Sequence, residues 1–253
     1  MSSEIKSLSQ ELQDLVREGY KIFRIGAPPD LSVCTEGCCM PAEAERRALE
    51  AGQANITRND LREWQDAAFS AENGRASVRW VLPRTLELLA AGEDLNPIDY
   101  ALTLRRLAMT GFPDAYRPAE VDLMSRFATA LIAALANDPN GFRDDAMLDD
   151  CLCMIAGIGL NLEPVLVRLD ACPVAGIVRG LAQDGHLQEV GFTAFWDAGP
   201  ALDLAVGWYV SRRIEDRMIA FWDDDANPSE LRAAAAMIAD DIALRCSQDR
   251  RTD

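Results

Sequence analysis

Three cysteines lie close together near the start of the chain: Cys34, Cys38 and Cys39. Thiolates are common ligands of structural zinc, and a thiolate is also the nucleophile of thiol redox chemistry. Cys34 and Cys38 are four residues apart with Gly37 between them, so their thiols could converge on one metal ion. Cys39 is adjacent to Cys38, and neighbouring side chains generally diverge, so it would pack inward. This stretch predicts a zinc site or a reversible thiol site.

A complete zinc site needs three or four thiolates or imidazoles at one point. The missing ligand would have to come from a distant part of the chain, where the candidates are Cys151, Cys153, Cys172, Cys246 and the single histidine, His186. Free cysteine is also among the most buried residue types, so the same cluster is typical of packing at a helix entry. We expect the packing role and keep zinc binding and thiol chemistry as alternatives.

Carboxylates are the second group of residues that could do chemistry. Acidic clusters occur at Asp144–Asp145, Asp149–Asp150 and Asp223–Asp225, and such clusters can hold a hard cation. The spacing of a calcium-binding loop is absent, and consecutive side chains point in different directions. We therefore expect these acids to be solvated helix ends. An enzyme with an unrecognised carboxylate site remains an alternative.

The elements that carry these residues are predicted to be helices. A proline followed two residues later by an acid recurs ahead of amphipathic runs, at Pro41, Pro97, Pro118 and Pro228. Proline at the first helical position loses no hydrogen bond, and the acid interacts with the positive end of the helix dipole. Thr57 with Asp60 has the pattern of a capping box. Each of these signals predicts a helix start.

Apolar residues between these starts recur at helical spacing. The run from Val78 to Leu89 follows that spacing without a break, although Pro83 should make the helix kink or restart. The run from Cys151 to Leu160 is apolar all round, which is typical of a helix in the middle of a core. We expect the core to include Leu86, Leu89, Leu131, Leu152 and Ile155.

These patterns predict an all-α fold class. Val165–Val167 and Gly207–Val210 have β-propensity, but both lie within helical periods. Short loops between helices of ordinary length favour stacked antiparallel pairs, either as an irregular, HEAT-like α-solenoid or as a compact bundle. The matching tetrapeptides Ala194–Asp197 and Ala220–Asp223 are consistent with a degenerate helical repeat. We expect one helical domain over residues 1–253, with halves at 1–140 and 141–253.

Two motifs carry a resemblance to other proteins. Residues Cys38–Glu43 read Cys-Cys-x-Pro-x-Glu, and Leu82–Leu89 read Leu-Pro-Arg-x-Leu-Glu-Leu-Leu. Over residues 1–140 the chain resembles a family of uncharacterised bacterial proteins that have a Cys-Cys element and such a helix. The resemblance implies a helical protein and no particular activity.

The amino-acid composition limits the classes of partner that we expect for the protein. Hydrophobic residues make up 49% of the 253 residues, which indicates a globular chain. The formal net charge of −16 disfavours nucleic acid and anionic membranes, because both select patches of Lys and Arg. A partner protein with a basic surface would fit this charge, although the simpler role of the acidity is solubility. A second copy of the chain is a further candidate partner.

The sequence also predicts a location. Charged residues interrupt the first 23 residues, so no secretory signal is predicted, and the apolar run at Cys151–Leu160 is too short to span a bilayer. The seven cysteines are odd in number and are not spaced as a disulfide framework. We therefore predict a cytoplasmic protein with reduced thiols. The leading functional hypothesis is a non-enzymatic helical scaffold or protein-binding module.

Overall fold

The computed structural model describes residues 9–36, 39–142, 147–183 and 193–249. These residues form α-helices joined by loops and by the short 3-10 helices Gln53–Asn55 and Tyr100–Leu102. Within the described residues the only β-type pairing is an isolated bridge between Val33 and Phe69. The predicted all-α fold class is confirmed. In the same part of the chain, no helix is both long and apolar enough to cross a membrane.

The chain divides into two compact units, one with residues 1–131 and 157–160 and the other with residues 132–156 and 161–253. The helices up to the first boundary are α1 (Gln10–Ile22), α2 (Ala42–Ala51), α3 (Arg58–Asp66), α4 (Gly74–Ala90) and α5 (Arg105–Met109). The boundary falls within α6 (Pro118–Asn137). The later helices are α7 (Leu148–Gly157), α8 (Glu163–Asp170), α9 (Val174–Gln183), α10 (Pro200–Tyr209), α11 (Arg212–Asp223) and α12 (Ser229–Asp249).

Local capping signals position several of these helices. The Thr57 hydroxyl accepts the N–H of Asp60 at 3.1 Å, and Oδ2 of Asp60 accepts the N–H of Thr57 at 3.2 Å. This is the predicted capping box at the start of α3. Pro118 is the first residue of α6, while Pro41 and Pro228 directly precede α2 and α12. The predicted starts at these three prolines are confirmed to within one residue.

The predicted helix start at Pro97 is wrong. Oδ1 of Asn96 accepts the N–H groups of Ile98 at 3.0 Å and of Asp99 at 3.3 Å. Side-chain bonds of this kind offer the backbone an alternative to a helical turn. Asp99 in turn accepts the N–H of Ala101 at 2.8 Å, and only the short 3-10 helix follows. The acid after this proline therefore caps a single turn.

Helix α4 supplies much of the core of the first unit, and α1 packs against it. The helix continues through Pro83, so a restart at this proline is excluded. Leu86 and Leu89, which the sequence placed in the core, are fully buried, and Leu131 near the end of this unit is also buried. Full burial of one leucine stabilises the fold by about 1.5–3 kcal/mol.

The core of the second unit forms around helices α9, α11 and α12. α11 and α12 are joined by a short loop and pack as a hairpin, and α9 packs on both. Leu152 and Ile155 of α7 are buried as predicted, together with Cys151 and Cys153. The matching tetrapeptides have different structures, because Phe195 lies in a turn and Phe221 lies in α11.

Candidate functional site

An open cleft with a volume of about 740 Å³ lies in the first unit. We call it the Cys34 cleft. One wall is the loop from Pro28 to Cys34, and the other is formed by Ala68–Ser70 and the first turn of α4 with the residues around it. The volume is within the range of about 300–1,000 Å³ that is typical of ligand sites. Among the sequence-predicted cysteine ligands that the structure describes, Cys34 lines this cleft and Cys39 does not.

A two-stranded contact joins the two walls. The N–H of Cys34 donates to the carbonyl of Ala68 at 2.8 Å, and the N–H of Ser70 donates to the carbonyl of Ser32 at 2.8 Å. Val33 therefore faces Phe69 as the non-hydrogen-bonded pair of an antiparallel bridge. In such a pair the N–H and C=O groups of the two residues point away from each other. Within the described residues, the backbone of Val33 makes no hydrogen bond.

The loop wall is held in an uncommon backbone conformation. Ser32 has a φ of 55°, in the left-handed region that non-glycine residues rarely adopt. Oδ1 of Asp30 accepts the N–H of Ser32 at 2.8 Å, and the Ser32 hydroxyl lies 3.0 Å from the hydroxyl of Ser77 on α4. The Ser77 hydroxyl also donates to the carbonyl of Asp30 at 3.0 Å. These bonds fix the turn that leads into the bridge.

In the other wall, the ring of Phe69 packs against the side chains of Trp64 and Arg106. Its ring meets the ring of Trp64 edge-on at a centroid distance of 6.1 Å. The guanidinium carbon of Arg106 lies 4.7 Å from the centroid of Phe69 and 4.4 Å from that of Trp64. Trp64 Nε1 donates to the carbonyl of Leu31 at 3.1 Å, which connects the cluster to the loop wall. The base of the cleft is therefore a packed cluster that contacts both walls.

Arg106 itself is buried, and its Nη2 donates to the carbonyls of Gln65 and Ala67. Burial lowers the pKa of Arg106 to about 9, and the charge of Asp66 opposes this shift. Arg106 was not among the residues that the sequence predicted to be functional. Its position as a cation among the apolar residues at the start of α5 was the one sequence signal for its burial.

The predicted cysteine site is described in part. Cys34 and Cys39 are half-buried and form no disulfide within the described residues, and the N–H of Cys39 donates to the carbonyl of Glu36 at 3.1 Å. Cys38 lies outside the described residues, as does His186. Among the residues that are described, no three His, Cys, Asp or Glu side chains are grouped to hold a metal ion. The zinc set of Cys34, Cys38 and Cys39 stays a prediction.

The carboxylates at the start of α7 differ from the expectation. Asp149 and Asp150 are buried, with exposed fractions of 1% and 4%, so their prediction as solvated helix ends is wrong. Asp149 accepts the backbone N–H of Thr193 at 2.5 Å and Nε1–H of Trp196 at 2.9 Å. These bonds give it a structural role in the second unit. Asp223–Asp225 are exposed as predicted, and Asp144–Asp145 lie outside the described residues.

Comparison with known proteins identifies no family for this fold and cleft, since the chain matches no protein-family model, no curated protein and no solved structure. The resemblance to bacterial proteins with a Cys-Cys element stays a prediction. The geometry of the described residues is therefore the basis for a functional proposal.

Proposed function

We propose that the protein is a non-enzymatic helical module that binds a partner protein, and that the Cys34 cleft takes an extended segment of that partner. The observation that carries this proposal is the edge at Val33. Val33 lines the cleft, and its N–H and C=O point away from the bridge without a hydrogen bond within the described residues. An extended segment that pairs with such an edge gains main-chain hydrogen bonds.

The composition of the walls supports a peptide as the occupant. Pro28, Pro29 and Phe69 supply apolar surface, and Ser70 and Asn73 supply neutral hydrogen-bonding groups. In an extended segment, alternate side chains point to opposite faces, so every second residue would contact these walls. Recognition would then combine main-chain pairing with apolar side-chain contacts.

The acidic residues in and near the Cys34 cleft favour a basic segment of the partner as its occupant. Asp30 lines the cleft, and the exposed acids Glu36 and Glu72 are close in sequence to lining residues. The nearest basic residue in the sequence is Arg75, whose Nε donates to the carbonyl of Thr110 at 3.1 Å. With a net charge of −16 for the whole chain, a Lys- or Arg-containing partner would also associate faster.

The proposal also includes a cellular location and the class of partner. We place the protein in the cytoplasm, and the absence of a disulfide among the cysteines that the structure describes supports this location. Nucleic acid is not proposed as a partner, because the chain is strongly acidic. A second copy of the chain is the alternative partner, and sedimentation of the purified protein would reveal a homo-oligomer.

Peptide display on the full-length protein tests the proposed function. Random peptides would be selected on the immobilised protein, and the affinity of the selected peptides would be measured by calorimetry. We expect enrichment of Lys or Arg together with β-branched residues. Ala76→Trp would place a large ring on an exposed lining position and should weaken binding at least about tenfold.

The matched control is Ala233→Trp, which changes an exposed alanine of α12 and should leave the affinity unchanged. Selected peptides that bind Ala76→Trp as tightly as the wild type would contradict the cleft as the binding site. Enrichment of acidic peptides would contradict the charge argument.

A further inference from the structure

One buried nitrogen of Arg106 has no hydrogen-bond partner in the part of the chain that the structure describes. The residue is 5% exposed, and its Nη2 donates to the carbonyls of Gln65 and Ala67. Its Nη1 is buried without a hydrogen-bond partner among the described residues, and no carboxylate in that part of the chain forms an ion pair with it. An unpaired buried donor on a charged group is costly, so a native structure rarely leaves one unsatisfied.

A small cavity lies beside this guanidinium. Arg106 lines it together with the polar residues Gln65, Thr85 and Thr103 and with apolar side chains, and its volume is about 10 Å³. This volume is close to what one water molecule needs. It is too small for an organic ligand.

The cavity also offers acceptors. The hydroxyl of Thr85 donates to the carbonyl of Val81 at 3.3 Å, and that of Thr103 donates to the carbonyl of Tyr100 at 2.8 Å. A hydroxyl that donates its proton keeps lone pairs that accept hydrogen bonds. The residues that line this cavity therefore include one charged donor and two hydroxyls that can accept a hydrogen bond from a water molecule.

We infer that this cavity is an internal water site, in which one ordered water accepts a hydrogen bond from Arg106 Nη1 and donates to the hydroxyl oxygens of Thr85 and Thr103. The water would give Nη1 a hydrogen-bond partner in the guanidinium that contacts Trp64 and Phe69. This inference is independent of the proposed function, because it concerns the base of the cleft and no partner.

A high-resolution crystal structure of the full chain tests the site directly. We expect a water oxygen within about 2.7–3.2 Å of Arg106 Nη1. A bromide soak should give no anomalous peak at this position. An empty cavity around a well-ordered Arg106, a bromide peak, or a guanidinium turned away from the cavity would overturn the inference.

Oxygen-17 relaxation dispersion in solution gives a second measurement, because it counts long-lived internal waters. Thr103→Val removes one proposed acceptor and should lower the count by one relative to the wild type. The control is Thr129→Val, since the Thr129 hydroxyl likewise donates to a carbonyl one turn earlier, that of Ser125, but does not line the cavity. An equal count for the wild type and Thr103→Val would overturn the inference.

Discussion

Gly74, the first residue of α4, lies directly against the ring of Phe69. A Cβ atom at position 74 would be 2.1 Å from Cζ of Phe69, a separation that real Cβ atoms do not show. Because Phe69 is paired with Val33 in the bridge, the shape of the Cys34 cleft depends on the absence of a side chain at Gly74.

We therefore expect Gly74→Ala to displace Phe69 and to lower the free energy of unfolding by about 1–3 kcal/mol, the usual cost of overpacking. Urea denaturation would measure the change. The control is Gly207→Ala within α10, where an added Cβ meets nothing within 4 Å. Alanine is the better helix former by about 0.8–1 kcal/mol, so this variant should be at least as stable as the wild type. A Gly74→Ala protein of unchanged stability would contradict the observed contact.

Two carboxylates of the first unit link stability to pH. Burial raises the pKa of Asp60, but hydrogen bonds from Thr57 and Arg47 outweigh burial and hold this pKa below its ordinary value of 3.8. Burial likewise raises the pKa of Glu120, while hydrogen bonds from Arg117 and the charge of a second arginine hold it below 4.5. In both cases the unfolded chain binds protons more readily than the folded chain.

The stability from these two groups is thus present above pH 4.5 and is lost as the pH falls through the lower folded-state pKa values. We expect the free energy of unfolding, measured by urea denaturation at a series of pH values, to decrease from pH 4.5 downward. The decrease should be shallower in Asp60→Asn and in Glu120→Gln. If the free energy of unfolding of both variants decreases below pH 4.5 as steeply as that of the wild type, other groups control the pH dependence of stability.

We expect the side chain of Asp149 to contribute strongly to the stability of the second unit. Asp149→Ala removes the acceptor for the N–H of Thr193 and for Nε1–H of Trp196, and hydrogen bonds to a charged group each contribute about 1.5–3 kcal/mol. We expect a stability loss of at least about 1.5 kcal/mol and faster hydrogen exchange at the Thr193 amide.

Asp197→Ala is the control for this prediction, because Asp197 is an exposed acid in the same segment. Its effect should stay within about 0.5 kcal/mol. Equal behaviour of the two variants would mean that the Asp149 bonds do not hold this segment.

The cysteines allow a direct decision between packing and zinc binding. We expect near-zero zinc in protein purified without added metal, because the sequence favours packing for Cys34, Cys38 and Cys39. Metal analysis by mass spectrometry would measure it. Stoichiometric zinc, lost together with helicity in Cys34→Ser and Cys38→Ser, would establish the alternative, since structural zinc contributes directly to folding.

The sequence predicted the features that depend on local spacing. The helical class, the Thr57–Asp60 capping box and the buried face of Leu86 and Leu89 follow from patterns within a few turns of chain. The predicted helix start at Pro97 was wrong because the side chain of the neighbouring Asn96 accepts backbone hydrogen bonds and forms a competing turn.

The features that were predicted wrongly or not at all depend on contacts between distant segments of the chain. The cleft depends on pairing Val33 with Phe69, and no pattern near either residue indicates that pairing. Asp149 looked like a solvated acid, but a chain segment 44 residues later supplies its hydrogen-bond donor. Arg106 is buried because it donates to carbonyls 41 and 39 residues earlier. Local periodicity carries no information about such partners.

The backbone amide of Val33 tests the binding proposal most directly. Hydrogen exchange of the full-length protein would be followed by NMR, with and without a saturating basic peptide selected by display. The account predicts that the Val33 amide exchanges more slowly in the complex and that cross-strand contacts appear between this residue and the peptide. The Cys34 and Ser70 amides, which are already hydrogen-bonded across the bridge, should change little. A complex in which Val33 exchanges as fast as in the free protein would contradict pairing at this edge.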